Sequence, residues 1–275
     1  MPPTTGLRIS FIGGGNMASA LIGGLAGKLT VAANLHVVEI NPEARARLAN
    51  AGVRTNAAVD ATLADSDVIV LAVKPQQMRE VVAALKPFVH GQVLISIAAG
   101  IRAVDLSRWL DGYGAIVRTM PNMPALIGKG ITGMVALDGV TPQQREHADA
   151  IMRAVGSTVW LDDEALIDPV TALSGSGPAY VFYFLEAMQR AGEALGLTAA
   201  QASELSIATF VGASQLAADA SDPVSVLRER VTSKGGTTHA ALVSLAESGV
   251  DEAIVRAIAA ASARGKALGE EFGRD

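Results

Sequence analysis

The sequence predicts an α/β protein, with a doubly wound, mostly parallel sheet over residues 1–161 and an all-helical segment over 162–275. Three observations carry this. Short β-rich runs alternate with helical patterns of about ten residues through the first half, the arrangement of a parallel sheet covered by helices on both faces. The run Asp67-Val-Ile-Val-Leu-Ala-Val73 is almost unbroken in its apolar character, as expected of a strand buried on both faces. After Trp160 the strand pattern stops and only helical periodicity continues.

In chain order, Leu7–Ile12 is the first strand, followed by a glycine-rich turn and a helical pattern to Gly27. Leu35–Ile40 is the next strand, and Pro42 opens a helix to Asn50. Asp67–Val73 follows, with Pro75 opening a helix to Lys86. Gln92–Ile97, Gly114–Arg118 and Ile131–Leu137 complete the strands. In the second half Pro178 stands at a helix start, and apolar residues recur at Val181, Phe184, Leu185, Met188, Ala191 and Leu195 before Gly196. Thr198-Ala-Ala-Gln201 has capping-box spacing and opens a helix to Ala218. Asp222-Pro223 starts a short helix, and Asp251 begins a last one running almost to the C-terminus.

Composition narrows the function. Half of the 275 residues are hydrophobic and 18% charged, enough apolar material for a packed core and too much for a disordered chain. With 22 Lys+Arg against 27 Asp+Glu the chain lacks the basic stripe of a nucleic-acid groove. No apolar run reaches the ~18–20 residues of a membrane span, and Met1–Gly6 has neither a positive nor an apolar leader region. There is no cysteine, which excludes disulfides and thiolate chemistry and fits a reducing, cytoplasmic setting. The four histidines, His36, His90, His147 and His239, have no metal-ligand spacing, so no metal is expected. Only 4% of residues are aromatic beside 28 glycines, so close packing rests on small side chains. The run from Ala199 to Ala220 carries few charges; helices apolar over so much of their surface predict cover by a second copy.

Gly13-Gly-Gly15-Asn-Met-Ala18 fits G-x-G-x-x-A between the first strand and a helix. The first glycine permits the tight turn, the second lets a pyrophosphate approach the backbone, and the small third residue lets the helix pack on the sheet. This is a Rossmann-type signature, and the helix N-terminus supplies N–H groups for the phosphates. Glu39, 24 residues beyond Gly15, is placed to accept from an adenosine ribose, which favours NAD; a solvated strand-end charge is the other reading. Arg45 and Arg47 follow on the next helix, where they would instead meet a 2′-phosphate. Lys74-Pro75-Gln76 and Ala98-Ala99-Gly100 end strands on the carboxyl edge, where ligands bind in such sheets, though both also read as ordinary loop chemistry. Arg118-Thr-Met-Pro-Asn-Met-Pro124 makes a stiff turn on that edge. In the helical half, Leu173–Ala179 and Val231–Thr238 each place hydroxyl residues and glycines before a helix, which suits either capping or a carboxylate ligand.

Taken together, Ile12–Ala18, Ala72-Val-Lys-Pro-Gln76, Ser96–Gly100, Met120–Pro124, Leu173–Tyr180 and Val231–Thr238 resemble the pyrroline-5-carboxylate reductases, in the family's order and across nearly the whole chain. The resemblance implies reduction of a cyclic imine, pyrroline-5-carboxylate, to L-proline by NAD(P)H, the last step of proline biosynthesis. It implies NADP as cofactor with NAD as the alternative, contacted by Gly13, Gly15, Asn16, Met17, Val73, Lys74 and Ala99, beside Glu39, which its place at the strand end alone assigns to the cofactor. Thr238 would be the catalytic hydroxyl on the ring nitrogen, and Glu164, Ser233, Gly235, Gly236 and Thr237 would bind substrate. The apolar helices of the second half predict a homodimer through the C-terminal helices, with a higher homo-oligomer left open, and the composition predicts neither nucleic acid nor membrane as partner. Met123 departs from the family's usual threonine, and Glu39-Ile40 stands where many relatives carry polar or arginine residues. Two other readings stay open. One is a reductase of a different imine or a hydroxy acid, although no lysine lies between Lys129 and Lys234 where dehydrogenases similar to 6-phosphogluconate dehydrogenase carry one. The other is a dinucleotide sensor without enzymatic activity.

Overall fold

The structure, a computed structural model, describes residues 6–274; the leader segment considered above lies, through residue 5, outside them. The strands are β1 (Ile9–Ile12), β2 (Leu35–Val38), β3 (Arg54–Asn56), β4 (Val68–Leu71), β5 (Val93–Ser96), β6 (Ile116–Met120), β7 (Gly130–Ala136) and β8 (Gly156–Trp160). They form one sheet in the order β3-β2-β1-β4-β5-β6-β7-β8. All neighbours pair parallel except β6 with β7. The strand order reverses between β1 and β4, where Ile12 lies opposite both Val38 and Leu71. A crevice opens outside the carboxyl ends of strands at such a switch point.

Alternation along the strands builds two cores. Val68, Val70, Phe11 and Val37 face one side, where they pack with Leu21 and Leu25 of α1 (Asn16–Leu25) and Ile151 and Met152 of α5 (Pro142–Arg153). Ile69, Leu71, Ile12 and Val38 face the other, against Val82 and Leu85 of α3 (Met78–Leu85) and Leu106 of α4 (Ala103–Trp109). Burial on both faces is why these strands read as continuous apolar runs. The helix α2 (Pro42–Asn50) begins at an Asn41 cap, whose side chain accepts from Ala44 N. Thr141 and Gln144 close a capping box at the start of α5.

Beyond β8 come α6 (Ile167–Val170), a π-helical segment Thr171–Gly175, α7 (Gly177–Ala194), α8 (Ala199–Asp219), α9 (Val224–Arg230), α10 (Thr237–Glu247) and α11 (Val250–Phe272). The expected capping box at Thr198 and Gln201 is present, and Gly196 adopts φ +100° after α7. The chain divides into two compact units, Met1–Ser176 with Ala260–Asp275, and Gly177–Ala259. In the first, the end of α11 lies against the loop after β5, where Leu268 and Phe272 flank Gly100 at φ +75°. In the second, α7 and α8 approach closely at Gly192, where an added Cβ would lie 3.0 Å from Cβ of Ala202.

Candidate active site

The glycine-rich turn is built as its spacing demands. Gly13 adopts φ +99°, and a Cβ there would lie 2.7 Å from the carbonyl oxygen of Ala72, so only glycine lets β1 turn this close to β4. At Gly15 nothing stands within 4 Å of an added Cβ. Gly15 is the cap residue of α1 and no side chain bonds the helix N-terminus, which leaves the first-turn N–H groups of Asn16 and Met17 free for an anion. Ala18 is buried under the helix, as the small third position requires. A cleft of about 530 Å³, within the range of small-ligand sites, is lined by Gly13, Gly15, Glu39, Ile40, Val73 and Lys74 among others. Ala99 is half-buried in the loop after β5 and is not part of the lining of this cleft.

Glu39 is not a loose strand-end charge. Its Oε2 accepts from Gly14 N at 2.7 Å and its Oε1 from Asn41 N at 2.8 Å. Arg45 donates from Nη1 to the carbonyl oxygens of Glu39 and Ile40. The carboxylate therefore lines the cleft from a fixed position, and Arg45 braces the backbone beneath it.

A second cavity, in the same compact unit, is lined by Arg102, Arg118, Glu164, Asp168, Lys266 and Glu270 among others. Arg118 is only 3% exposed although it lies in β6. Its Nη1 is 3.0 Å from Oε1 of Glu164, and its Nη2 is 3.8 Å from Oδ1 of Asp168. Glu164 Oε1 also accepts from Ala103 N at 2.5 Å. Burial pushes the Asp168 carboxyl above its ordinary value, the Glu164 charge adds to this, and Arg118 pulls against it. The local sequence around Glu164 and Asp168 does not show this pairing. The available signal was an arginine inside the apolar run Ile116-Val117-Arg118, which must find carboxylates when buried.

The segment Leu173–Ser176 differs from the open turn expected before a helix. Residues 171–175 are π-helical and Ser176 N donates to Thr171 O at 2.8 Å. The Thr171 and Ser174 hydroxyls turn inward to the carbonyl oxygens of Ile167 and Val170. In the helical unit, the turn Val231–Gly236 leads into α10. Gly235 takes φ +73° and Gly236 N donates to Ser233 O at 3.0 Å. A Cβ at Gly236 would lie 2.5 Å from Oγ of Ser233, so the turn is closed around glycine. No side chain caps α10, and Thr237 and Thr238 occupy its first turn. This leaves N–H groups and two hydroxyls for a carboxylate-bearing ligand.

The comparisons with known proteins agree with these features. Residues 164–268 match the family model described as pyrroline-5-carboxylate reductase dimerisation, and residues 8–100 match the one described as NADP oxidoreductase coenzyme F420-dependent. A pyrroline-5-carboxylate reductase of Pseudomonas aeruginosa is 45% identical over 272 residues, 97% of this chain and 98% of that protein. The chain belongs to the pyrroline-5-carboxylate reductase family. The Haemophilus influenzae member is 40% identical over 94% of this chain and 97% of its own length. Among solved structures, the Coxiella burnetii reductase superposes with a TM-score of 0.90 at 38% identity, covering 95% of this chain and 98% of that one. The Plasmodium falciparum reductase, determined with NADP bound, gives a TM-score of 0.86 at 29% identity over 96% of this chain and 100% of that one.

Within this reductase-family chain, Gly13, Gly15, Glu39, Val73 and Lys74 share one cleft, with Asn16 and Met17 in the helix turn beside Gly15. Ser233, Gly235, Gly236, Thr237 and Thr238 share one turn of the helical unit. Glu164 stands with Arg118 and Asp168. No group of His, Asp and Glu side chains able to hold a metal ion occurs among the described residues.

Proposed function

We propose that the protein reduces pyrroline-5-carboxylate to L-proline with a nicotinamide dinucleotide, closing proline biosynthesis. The observation that carries the reading is a dinucleotide cleft and an uncapped Ser-Lys-Gly-Gly-Thr-Thr turn within one chain that matches the reductases from end to end. The bound nicotinamide supplies a hydride to the imine carbon. Gly13, Gly15, Asn16 and Met17 hold the phosphates by backbone N–H groups, and Val73, Lys74 and Ala99 border the dinucleotide along the carboxyl edge. Ser233, Gly235, Gly236 and Thr237 hold the substrate carboxylate. Glu164 helps to orient the substrate: both of its protein bonds end on Oε1, which leaves Oε2 for a ligand.

Thr238 is the catalytic hydroxyl at the ring nitrogen. A hydroxyl both donates and accepts, so Thr238 follows the nitrogen as it passes from iminium to amine. A protonated imine is already electrophilic, and the chain's task is mainly to orient two reactants, which lowers a barrier by about 7–11 kcal/mol. NADP is the cofactor proposed, supported by the NADP-bound Plasmodium relative. NAD is also accepted, because the Glu39 carboxylate would repel a 2′-phosphate and Arg45 is engaged with backbone carbonyls.

Residues 1–161 serve as the dinucleotide-binding domain, and residues 162–275 bind substrate and pair the chain with a second copy. In the helical unit Tyr183, Leu195, Val211, Leu216 and Val255 are all more than half exposed, an apolar surface that a monomer would leave in water. The chain works in the cytoplasm: it has no cysteine, and no helix among the described residues is long and apolar enough to cross a membrane. The test is loss of absorbance from NADPH and NADH on adding pyrroline-5-carboxylate. Turnover of this imine supports the reading. Turnover only of another imine or of a hydroxy acid, or dinucleotide binding without turnover, overturns it.

A further inference from the structure

We propose that Asn122 is a positioning residue for this reduction, fixing the turn at Ser174–Ser176 against the carboxyl end of β6. The inference rests on the reductase reading above. Asn122 is buried at 8% exposure and its amide joins two segments. Its Oδ1 accepts from Ile131 N at 3.0 Å, in β7, and its Nδ2 donates to Ser174 O at 3.1 Å.

That second bond answers a defect written into the sequence. In α-helical register the partner of Ser174 O is the N–H of residue 178, and Pro178 has none. The chain widens here into the π register, an insertion frequent at functional positions, and Asn122 supplies a donor to the stranded carbonyl. Gly175 lets the turn press on the strand, since a Cβ there would lie 2.6 Å from Cε of Met120. Thr171 and Ser174 spend their hydroxyls on carbonyls one turn back. Ser176 is left as the hydroxyl of the turn without a protein partner among the described residues. The turn thus sits on the edge that also carries Gly13 and Lys74, and Asn122 determines where its Ser176 hydroxyl and backbone stand.

Asn122→Asp keeps the acceptor toward Ile131 and sets a carboxylate oxygen against Ser174 O. Adding Pro178→Ala returns an N–H to residue 178, which gives Ser174 O an α-register partner without restoring the π turn. Steady-state kinetics with pyrroline-5-carboxylate, dinucleotide affinity and thermal midpoints are measured for wild type, the single variant and the double variant. The expected result for Asn122→Asp is a kcat loss of at least about tenfold with dinucleotide Kd within about threefold, a split that marks lost orientation rather than lost binding. The double variant regains most of the midpoint but not kcat. A kcat within about twofold of wild type, or kcat recovering in step with the midpoint, overturns the proposal. If Asn122→Asp does not fold, Asn122→Ser is read instead: it shortens the side chain away from both Ser174 and Ile131 and is expected to lower kcat by at least about tenfold with dinucleotide Kd within about threefold, and a kcat within about twofold of wild type overturns the proposal. A wild-type enzyme inert toward pyrroline-5-carboxylate is a different outcome, and it overturns the reductase reading itself.

Discussion

Replacing Arg118 with methionine removes a buried charge while keeping much of its apolar stem. In the fold, Arg118 is 3% exposed and bonded to Glu164 at 3.0 Å, with Asp168 at 3.8 Å. Deleting one partner of a buried pair costs about 3–5 kcal/mol, because the other charge remains buried. Glu164 keeps the bond from Ala103 N and its side chain is 19% exposed, so the lower end, ~3 kcal/mol, applies. At ~2–4 °C per kcal/mol for a chain of this size, the thermal midpoint should fall by ~6–12 °C near neutral pH. The loss also depends on pH. Asp168 is held above its ordinary value of 3.8, so between that value and the raised one the folded state binds more protons than the unfolded chain. Stability contributed by this group therefore rises as pH falls through that window. Without Arg118 the upward shift grows, and the variant recovers more than wild type on acidification. Circular-dichroism melts near pH 7.5 and roughly pH 5 measure both effects. A fall of less than about 2 °C at the higher pH, or a deficit equal at both, would refute the reasoning.

Four other outcomes follow from the same structure. Thr238→Ala should lower kcat by at least about tenfold, ~1.4 kcal/mol, with dinucleotide affinity near that of wild type; unchanged steady-state kinetics would remove Thr238 from the catalytic role. Glu39→Gln should raise the NADPH-to-NADH ratio of kcat/KM by about tenfold, since it removes ~1.4 kcal/mol of repulsion, and an unmoved ratio would show that Glu39 does not read the ribose. Burial pushes the His36 imidazole below its ordinary 6.5, Arg54 adds to this and Asp60 opposes it. The unfolded chain is therefore protonated first, and stability is lost as pH falls from 6.5 through the folded value; urea titrations of wild type and His36→Asn should show that slope flattened in the variant. Light scattering at micromolar concentration should give at least a dimer, and a monomer would contradict the proposed pairing of the helical segments.

The central strands were legible because burial on both faces leaves an apolar run, as in Val68–Leu71 and Val93–Ser96. The edge strands were not. β3 is only Arg-Thr-Asn, and β8 alternates half-buried with exposed residues after Gly156, so neither carries that run. α4 and α5 also went unread, although Thr141-Pro142-Gln-Gln144 holds a capping box in plain sequence. The glycine turn could be read from its spacing, because Gly13 answers a local steric demand and Gly15 leaves open space beside the helix N-terminus. The π segment could not. Beside its i→i+5 bonding, Asn122, more than 50 residues away, meets the Ser174 carbonyl, a contact that no local pattern shows. The pairing of Glu164 and Asp168 could not be read for the same reason, since their partner Arg118 is distant in sequence.

The most direct test of the account follows the reaction to its product. Purified protein is incubated with pyrroline-5-carboxylate and NADPH, and dinucleotide oxidised is compared with L-proline formed by chiral amino-acid analysis. The account predicts one L-proline for each NADPH consumed, with no added metal. Oxidation of NADPH without L-proline, or no oxidation with either dinucleotide, would contradict it.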